Sequence, residues 1–285
     1  MNLPAQDYDL AATLDSGQAF RWEPGPAGAW TGVIGRHWVR LRPAAGGLHA
    51  ETAVPVADPG WLRHYLQIDL DLAAVLAGFP ADAPLRAAVA HSRGLRLLRQ
   101  DPWECLASFI LSSTKQIVQI RQIVALLAAR HGEPLVVPPG EPPAHAFPTA
   151  AALAALPESA LRDCKMGFRA PYLLAAARAV ADGRLDLGAV AGLPLPAARD
   201  ALVTLPGVGP KIADCVLLFA YGFPGAFPVD VWVRKALRQL YFPRRAPSPA
   251  RLERFVATYF GPHAGYAQQY LFHYMRTRPP ALTPP

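Results

Sequence analysis

The sequence predicts an α+β protein: an N-terminal antiparallel sheet packed on a larger helical region. Three observations predict it. Strand-type alternation is confined to residues 1–60, and helical segments fill most of the remaining chain. Between two of the later helical segments lies a Gly-x-Gly turn, Leu205-Pro206-Gly207-Val208-Gly209-Pro210. The expected division is residues 1–95, a sheet domain with flanking helices, and residues 96–285, a helical region with an inserted loop at 133–148.

Ala29–Ile34 and His37–Arg42 alternate apolar and polar residues between Gly/Pro turns, as half-buried antiparallel strands do. Before them, Ser16-Gly17-Gln18-Ala19-Phe20-Arg21-Trp22 reads as a turn entering a strand, with Gly17 at a positive φ. Helical structure begins near Trp61 and continues through Asp69–Phe79 and Asp82–Arg93. Pro102 suits a first turn, and Trp103–Leu111 is apolar enough to be a central helix. Residues 133–148 are a Pro-rich surface loop with no assigned function. Further helices are expected at Ala150–Ala155, Pro157–Cys164, Tyr172–Asp182 and Pro196–Thr204.

Composition bounds the function. Of 285 residues, 52% are hydrophobic and 17% charged, which permits a large core and excludes global disorder. The net charge of +7 favours a polyanionic partner. Cys105, Cys164 and Cys215 lie far apart, against a disulfide framework or an ordinary zinc site and in keeping with a reducing compartment. The absence of an N-terminal apolar signal and of a long apolar run predicts neither export nor membrane insertion. A cytoplasmic, nucleoid-associated location is expected.

The chemistry concentrates after the Gly-x-Gly turn. The first amides of a helix lack intrahelical acceptors and sit at its positive end, so Gly207, Gly209 and Ile212 frame an anion site, with phosphate the natural ligand. Lys211 starts a segment, Ile212–Tyr221, that is apolar except for Asp214. Desolvation and the helix dipole both disfavour its ammonium form, which makes it a better nucleophile. Asp230 precedes another helix start at Val231-Trp232-Val233. It can cap that helix and present a carboxylate to the lysine. Read singly, Lys211 is a solvated charge and Asp230 only a cap; the combination with the turn points to a site.

Leu205-Pro206-Gly207-Val208-Gly209-Pro210-Lys211 followed by Pro228-Val229-Asp230-Val231 resembles the helix–hairpin–helix DNA glycosylases with a Gly/Pro…Asp signature. Within that superfamily the 8-oxoguanine DNA glycosylase/AP lyases are most similar, over roughly residues 9 to 276. The lysine implies a bifunctional enzyme. The resemblance makes the Gly17 carbonyl the reader of the lesion: N7 of 8-oxoguanine carries hydrogen, whereas N7 of guanine presents a lone pair. A site built around that hydrogen bond rejects the analogue lacking it. In the segment from Gly261 to Phe272, it makes Gln268 a reader of the Watson–Crick edge and Phe272 one wall of the base sandwich. Cys215 is the other wall. By pattern alone, Phe272 and Cys215 are core residues.

Several positions depart from the family. Thr114 and Gln119 replace an asparagine and an arginine that contact the cytosine opposite the lesion. Arg169 is retained as a second cytosine reader. Phe168 stands where an aromatic wedge is expected, although pattern alone serves equally for core packing. Trp232 occupies the place of a phosphate-contacting histidine. Weaker cytosine selectivity is expected. The basic run Arg234, Lys235, Arg238, Arg244, Arg245, Arg251 and Arg254 is either a solvated face or a DNA-backbone contact. The residues from Arg278 onward are expected to be loose.

The resemblance implies excision of 8-oxoguanine from double-stranded DNA by base flipping, Schiff-base formation at Lys211 and strand nicking. No redox cofactor or catalytic metal is required. A monovalent or calcium ion at the hairpin is compatible, as in relatives, and the chain is expected to act as a monomer. Two other readings stay open: an alkyl-base glycosylase of the same superfamily, against which Lys211 and the Gly17 segment argue, and a non-catalytic DNA-binding module.

Overall fold

A computed structural model describes residues 1–278. Its N-terminal part is a five-stranded antiparallel sheet of β1 (Asn2–Pro4), β2 (Trp22–Pro24), β3 (Trp30–Ile34), β4 (His37–Ala44) and β5 (Gly47–Thr52), in the spatial order β1-β5-β4-β3-β2. Ile34 pairs with His37 and Ala44 with Gly47, so each central hairpin turns on two residues. The first turn carries Gly35 and the second Gly46, both at positive φ. Both strands read from the sequence are present. The periodicity did not expose β1 and β2, which have three residues each, or β5, whose buried residues are only Leu48 and Ala50. A six-residue helix, α1 (Leu10–Asp15), was likewise too short to show a period.

The remaining helices are α2 (Gly60–Leu66), α3 (Leu72–Ala77), α4 (Ala83–His91), α5 (Pro102–Leu111), α6 (Ile117–His131), α7 (Ala150–Ala154), α8 (Glu158–Arg162), α9 (Ala170–Ala181), α10 (Leu187–Val190), α11 (Leu195–Val203), α12 (Pro210–Val216), α13 (Val231–Leu240), α14 (Pro249–Tyr259) and α15 (Ala264–Thr277). Side-chain caps set several of their starts. The expected helix at 69–79 begins instead at Leu72, because Asp71 accepts from the Ala74 amide at 3.0 Å. Asp82 and Asp101 do the same for α4 and α5. Helix α6, which the sequence pattern did not single out, starts with a reciprocal Gln116–Gln119 cap.

Two apolar clusters organise these elements. The sheet's inner face, with Trp22, Trp30, Val39, Leu41 and Leu48, packs on Leu10 and Leu14 of α1 and Leu62, Tyr65 and Leu66 of α2. The larger cluster surrounds α5, whose residues Cys105 to Leu111 are all buried. Leu72, Val75, Leu85 and Ala88 belong to this larger cluster rather than to the sheet's. The Pro-rich loop is more ordered than a surface loop. Leu135 and Ala146 donate across it to Ala144 and Glu133. Glu133 and Glu141 pair with Arg36 and Arg40 of the sheet region. Arg278 donates to Gln239 at 2.9 Å, and the rest of the expected loose tail, 279–285, lies outside the described residues. Among the described residues no helix is long and apolar enough to cross a membrane.

Arg96 ties the two parts together. It is 2% exposed and has no carboxylate partner among the described residues. Its guanidinium donates to the carbonyls of Leu70 (2.6 Å) and Gln6 (2.9 Å). Its own carbonyl accepts from Gln18 at 2.8 Å. Replacing it leaves the partly buried Leu70 and Gln6 carbonyls without that donor. Arg96→Met is expected to lower stability by about 3 kcal/mol in urea denaturation, whereas exposed Arg86→Met changes it by less than about 0.5 kcal/mol.

Candidate active site

The hairpin forms because Leu205 and Val208 donate back to Leu202 and Leu205, closing two tight turns after α11. Gly207 sits at φ +80°, and a Cβ there would lie 2.5 Å from the Tyr172 ring, so only glycine fits. Gly209 differs. Its φ is −99°, and a Cβ would meet nothing within 4 Å. The protein itself does not require glycine there; an approaching ligand would. Gly209 caps α12 with no side chain, and Pro210 has no N–H to offer. Among the described residues the Lys211 and Ile212 amides have no acceptor. They are the bare donors expected at an anion site. Asp214, the one polar residue of the apolar segment, is buried and bonded to Arg199 Nε at 2.7 Å, which locks α12 to α11.

Lys211 lies in the first turn of α12 and is half-buried. Its Nζ donates to Ser112 Oγ at 3.2 Å and stands 5.2 Å from the centre of the Phe109 ring. Ser112 in turn donates to the Phe109 carbonyl at 2.7 Å, which fixes its lone pairs toward the amine. Asp230 caps α13, accepting from the Val233 amide at 2.8 Å. Burial raises its pKa, and the cap N–H and the charge of Lys211 work against that rise. The two charges therefore sense each other without forming a direct ion pair. Cys215, one turn beyond Lys211, has its thiol pushed up to about 12 by burial, with nearby Lys211 pulling the other way. It stays a thiol, a poor nucleophile beside the amine.

These groups surround one recess. Gly17, Lys211, Cys215, Asp230, Gln268 and Phe272 all line a cavity of about 50 Å³. Gly17, Lys211, Asp230 and Phe272 also line a cleft of about 840 Å³. The cavity has room for one or two waters and not for a purine, so a base enters only if a wall moves. Gln268 is 3% exposed, and its Oε1 is buried with no partner. An unspent acceptor in such a place costs stability unless a ligand meets it.

The Gly17 turn is held from several sides. Gly17 has φ +74°, and a Cβ there would lie 2.7 Å from Ile117 Cδ1 and 3.5 Å from Phe272. Buried Gln18 donates to the Thr13 and Arg96 carbonyls at 2.9 and 2.8 Å and accepts from the Leu98 amide at 2.7 Å. Gln269 donates to the Ser16 carbonyl at 2.9 Å, and Gln100 donates to the Gln18 carbonyl at 2.6 Å. Among the described residues the carbonyl between them, that of Gly17, accepts nothing. Sequence reasoning singled out neither Gln269 nor Ser112. The only signal was a pair of amide and hydroxyl residues beside residues already singled out.

The remaining candidates lie around the cleft in different ways. Thr114 is exposed at φ +57°, and Thr114, Lys115 and Trp232 line the cleft. Trp232 is half-buried, with Lys235 Nζ 5.3 Å from its ring centre. Arg169 is drawn inward and 3% exposed: it donates to the Ser113 carbonyl at 2.7 Å and to Thr114 Oγ1 at 2.6 Å. Its guanidinium lies 4.2 Å from the centre of the Phe168 ring. Phe168 is 52% exposed and so not part of the core. Gln119 accepts from the Gln116 amide at 3.1 Å, a capping role that its place in the family pattern did not suggest.

Residues 1–106 match the 8-oxoguanine DNA glycosylase N-terminal domain, and residues 107–262 match the HhH-GPD superfamily of base excision DNA repair proteins. The chain belongs to that superfamily, in its 8-oxoguanine DNA glycosylase branch. It is 31% identical to a probable N-glycosylase/DNA lyase of Methanothermobacter thermautotrophicus over 97% of this chain and 96% of that one. It is 32% identical to the N-glycosylase/DNA lyase OGG1 of Arabidopsis thaliana over 95% of this chain and 78% of that one. Among solved structures, it superimposes on the Clostridium acetobutylicum 8-oxoguanine glycosylase/lyase in complex with duplex DNA containing cytosine opposite 8-oxoguanine. The TM-score is 0.89 at 30% identity, over 94% of this chain and 92% of that one. The 3-methyladenine DNA-glycosylase of Archaeoglobus fulgidus, at 20% identity and a TM-score of 0.77, shares the fold.

Gly17→Ala would force a side chain into a left-handed conformation and against Ile117. A shift of the turn by about 1 Å is expected to lower lesion excision about a hundredfold. Single-turnover kinetics on lesion-containing duplex measure the loss.

Proposed function

We propose that the chain removes 8-oxoguanine from duplex DNA and then nicks the strand at the resulting site. The observation that carries this is the convergence of Lys211, Asp230, Gly17 and the unpartnered Gln268 on one recess. The relatives' activities support it, and Lys211 favours it over both an alkyl-base glycosylase and a DNA-binding module without catalysis.

The damaged nucleotide must leave the stack for its C1′ to be reached, at a cost of roughly a few kcal/mol. The bare amides around Gly207, Gly209 and Ile212 hold a phosphate near it. The Gly17 carbonyl accepts from N7–H of the lesion, Gln268 meets the Watson–Crick edge, and Phe272 and Cys215 enclose the ring. The Nζ lone pair of Lys211 bonds to C1′ as the glycosidic C–N bond breaks, and the departing base takes that bond's electrons and a proton. Asp230 stabilises the positive charge that develops on the sugar. The C1′–O4′ bond then opens, with a proton going to O4′ and one lost from nitrogen, to give the Schiff base. Loss of a C2′ proton expels the 3′ phosphate, and water releases the lysine. Amine and carboxylate suffice for these steps, which call for no redox cofactor or metal. A monovalent or calcium ion on the hairpin carbonyls would tie hairpin to phosphate without joining the chemistry.

One chain supplies every group in this scheme, in keeping with action as a monomer. The sheet domain, taken as residues 1–95, supplies the Gly17 reader, and the helical region, 96–285, supplies the amine. Exposed Phe168 is the expected wedge into the duplex. Arg169, Thr114, Gln119 and Trp232 are the expected neighbours of the opposite strand and backbone. A DNA substrate agrees with a nucleoid location.

The cleavage test is a panel of 8-oxoguanine, formamidopyrimidine and methylated purines, each opposite all four bases. Excision of 8-oxoguanine at rates within about tenfold across the four opposite bases is expected, because a protein without a given bidentate bond to a base forgoes about 1–3 kcal/mol of discrimination. Excision of methylated purines alone would overturn the assignment. A strong cytosine preference would contradict the weaker opposite-base selectivity expected from Thr114 and Gln119.

Asp230→Asn keeps the cap, because asparagine caps as well as aspartate, and removes the charge. It is expected to leave thermal stability unchanged and to slow excision by about 10²–10³-fold. In the wild type the ionised carboxylate is the active form, and burial raises its pKa. The rate therefore falls as pH drops through a value above the ordinary carboxylate range. A pH–rate profile with its acid limb in the ordinary range would contradict this.

A further inference from the structure

We propose that Asp15 is a positioning residue for base discrimination, acting through Arg276 and Arg121 to fix the Gly17 carbonyl against Phe272. This rests on the glycosylase reading above and deepens it.

Asp15 ends α1, where a carboxylate opposes the helix dipole. Local preference therefore does not account for it, and a departure from local rules marks a constraint set elsewhere. Two arginines from distant elements supply that constraint. Arg121 Nη2 of α6 donates to Asp15 Oδ1 at 2.9 Å. Arg276 Nη2 of α15 donates to Oδ2 at 3.1 Å and also to the Asp15 carbonyl. Their side chains are only 22% and 19% exposed, and each has a buried Nε with no partner. The shared carboxylate thus joins both guanidinium groups, with the Asp15 carbonyl also holding Arg276.

Helix α15 joins this hub to the recess. Gln268, Phe272 and Arg276 are spaced four apart and share one face. The Arg276 guanidinium lies 5.9 Å from the centre of the Phe272 ring, and both residues line the cleft. Three successive carbonyls complete the link. That of Asp15 is bonded to Arg276, that of Ser16 to Gln269, and that of Gly17 is left free. Two of the three are pinned to α15, so these ties couple the spacing between the free carbonyl and Phe272 to that helix. One tie runs through Asp15. Reading N7–H needs hydrogen-bond geometry held to a few tenths of an ångström. The later steps, on a sugar that has lost its base, do not use the Gly17 carbonyl at all.

The experiment compares single-turnover excision from an 8-oxoguanine duplex with nicking of a preformed abasic duplex, in the full chain. Asp15→Asn is expected to lose about tenfold or more in excision and to keep abasic nicking within about twofold of wild type. Equal losses in both assays would mean a merely structural role and overturn the proposal, as would no loss in either. If Asp15→Asn does not fold, Arg121→Met carries the test, with the same split expected at smaller size; its absence overturns the proposal. A wild-type chain that leaves 8-oxoguanine in place overturns the substrate assignment instead, and that result is seen before any variant is measured.

Discussion

The site depends on keeping one amine at the first turn of α12, half out of water and beside a carboxylate it does not directly pair with. Ser112 accepts from the amine, and the face of Phe109 and the buried thiol of Cys215 flank it. A direct Lys211–Asp230 ion pair would hold the amine as an ammonium ion and occupy its reactive face. In the proposed mechanism the separation leaves Asp230 free to face the sugar and the amine free to approach C1′. The rest of the fold serves that spacing. The α5 core carries Ser112 and Phe109, the hairpin starts α12, and the Asp230 cap starts α13.

The second constraint is the meeting of two separate parts of the chain. The Gly17 turn comes from the sheet domain, whereas Gln268 and Phe272 come from α15, far along the sequence. Gln269 bridges them directly, through the Ser16 carbonyl, while buried Gln18 and Arg96 and half-buried Gln100 tie the turn to main-chain groups beside it. Such bonds are directional, so they fix the turn where apolar packing alone would let it slide. The unpartnered oxygen of Gln268 is a stability cost that this scaffold tolerates and that a bound base would relieve.

Much of this was legible in the sequence because the chemistry sits in short, local patterns. The hairpin, Lys211, the capping Asp230 and the Gly17 turn each announce themselves within a few residues. The alternation of β3 and β4 and the apolar run of α5 are also local. What stayed hidden was either too short or too distant. Strands β1 and β2 and helix α1 lack a full period. Arg96, Asp15 and Arg276 gain meaning only from partners tens to hundreds of residues away. Gln119 and Arg169 show the opposite limit: a family pattern assigns them to a strand of DNA, while the fold engages one in a helix cap and the other with the Ser113 carbonyl and the Thr114 hydroxyl.

In the proposed mechanism the reactive amine belongs to residue 211. The most direct measurement is mass spectrometry of the protein–DNA adduct reduced with borohydride during turnover of an 8-oxoguanine duplex, after digestion to peptides. The account predicts a deoxyribose remnant on the peptide containing Lys211. A remnant on Lys115 or on the N-terminal amine, with Lys211 unmodified, would contradict it.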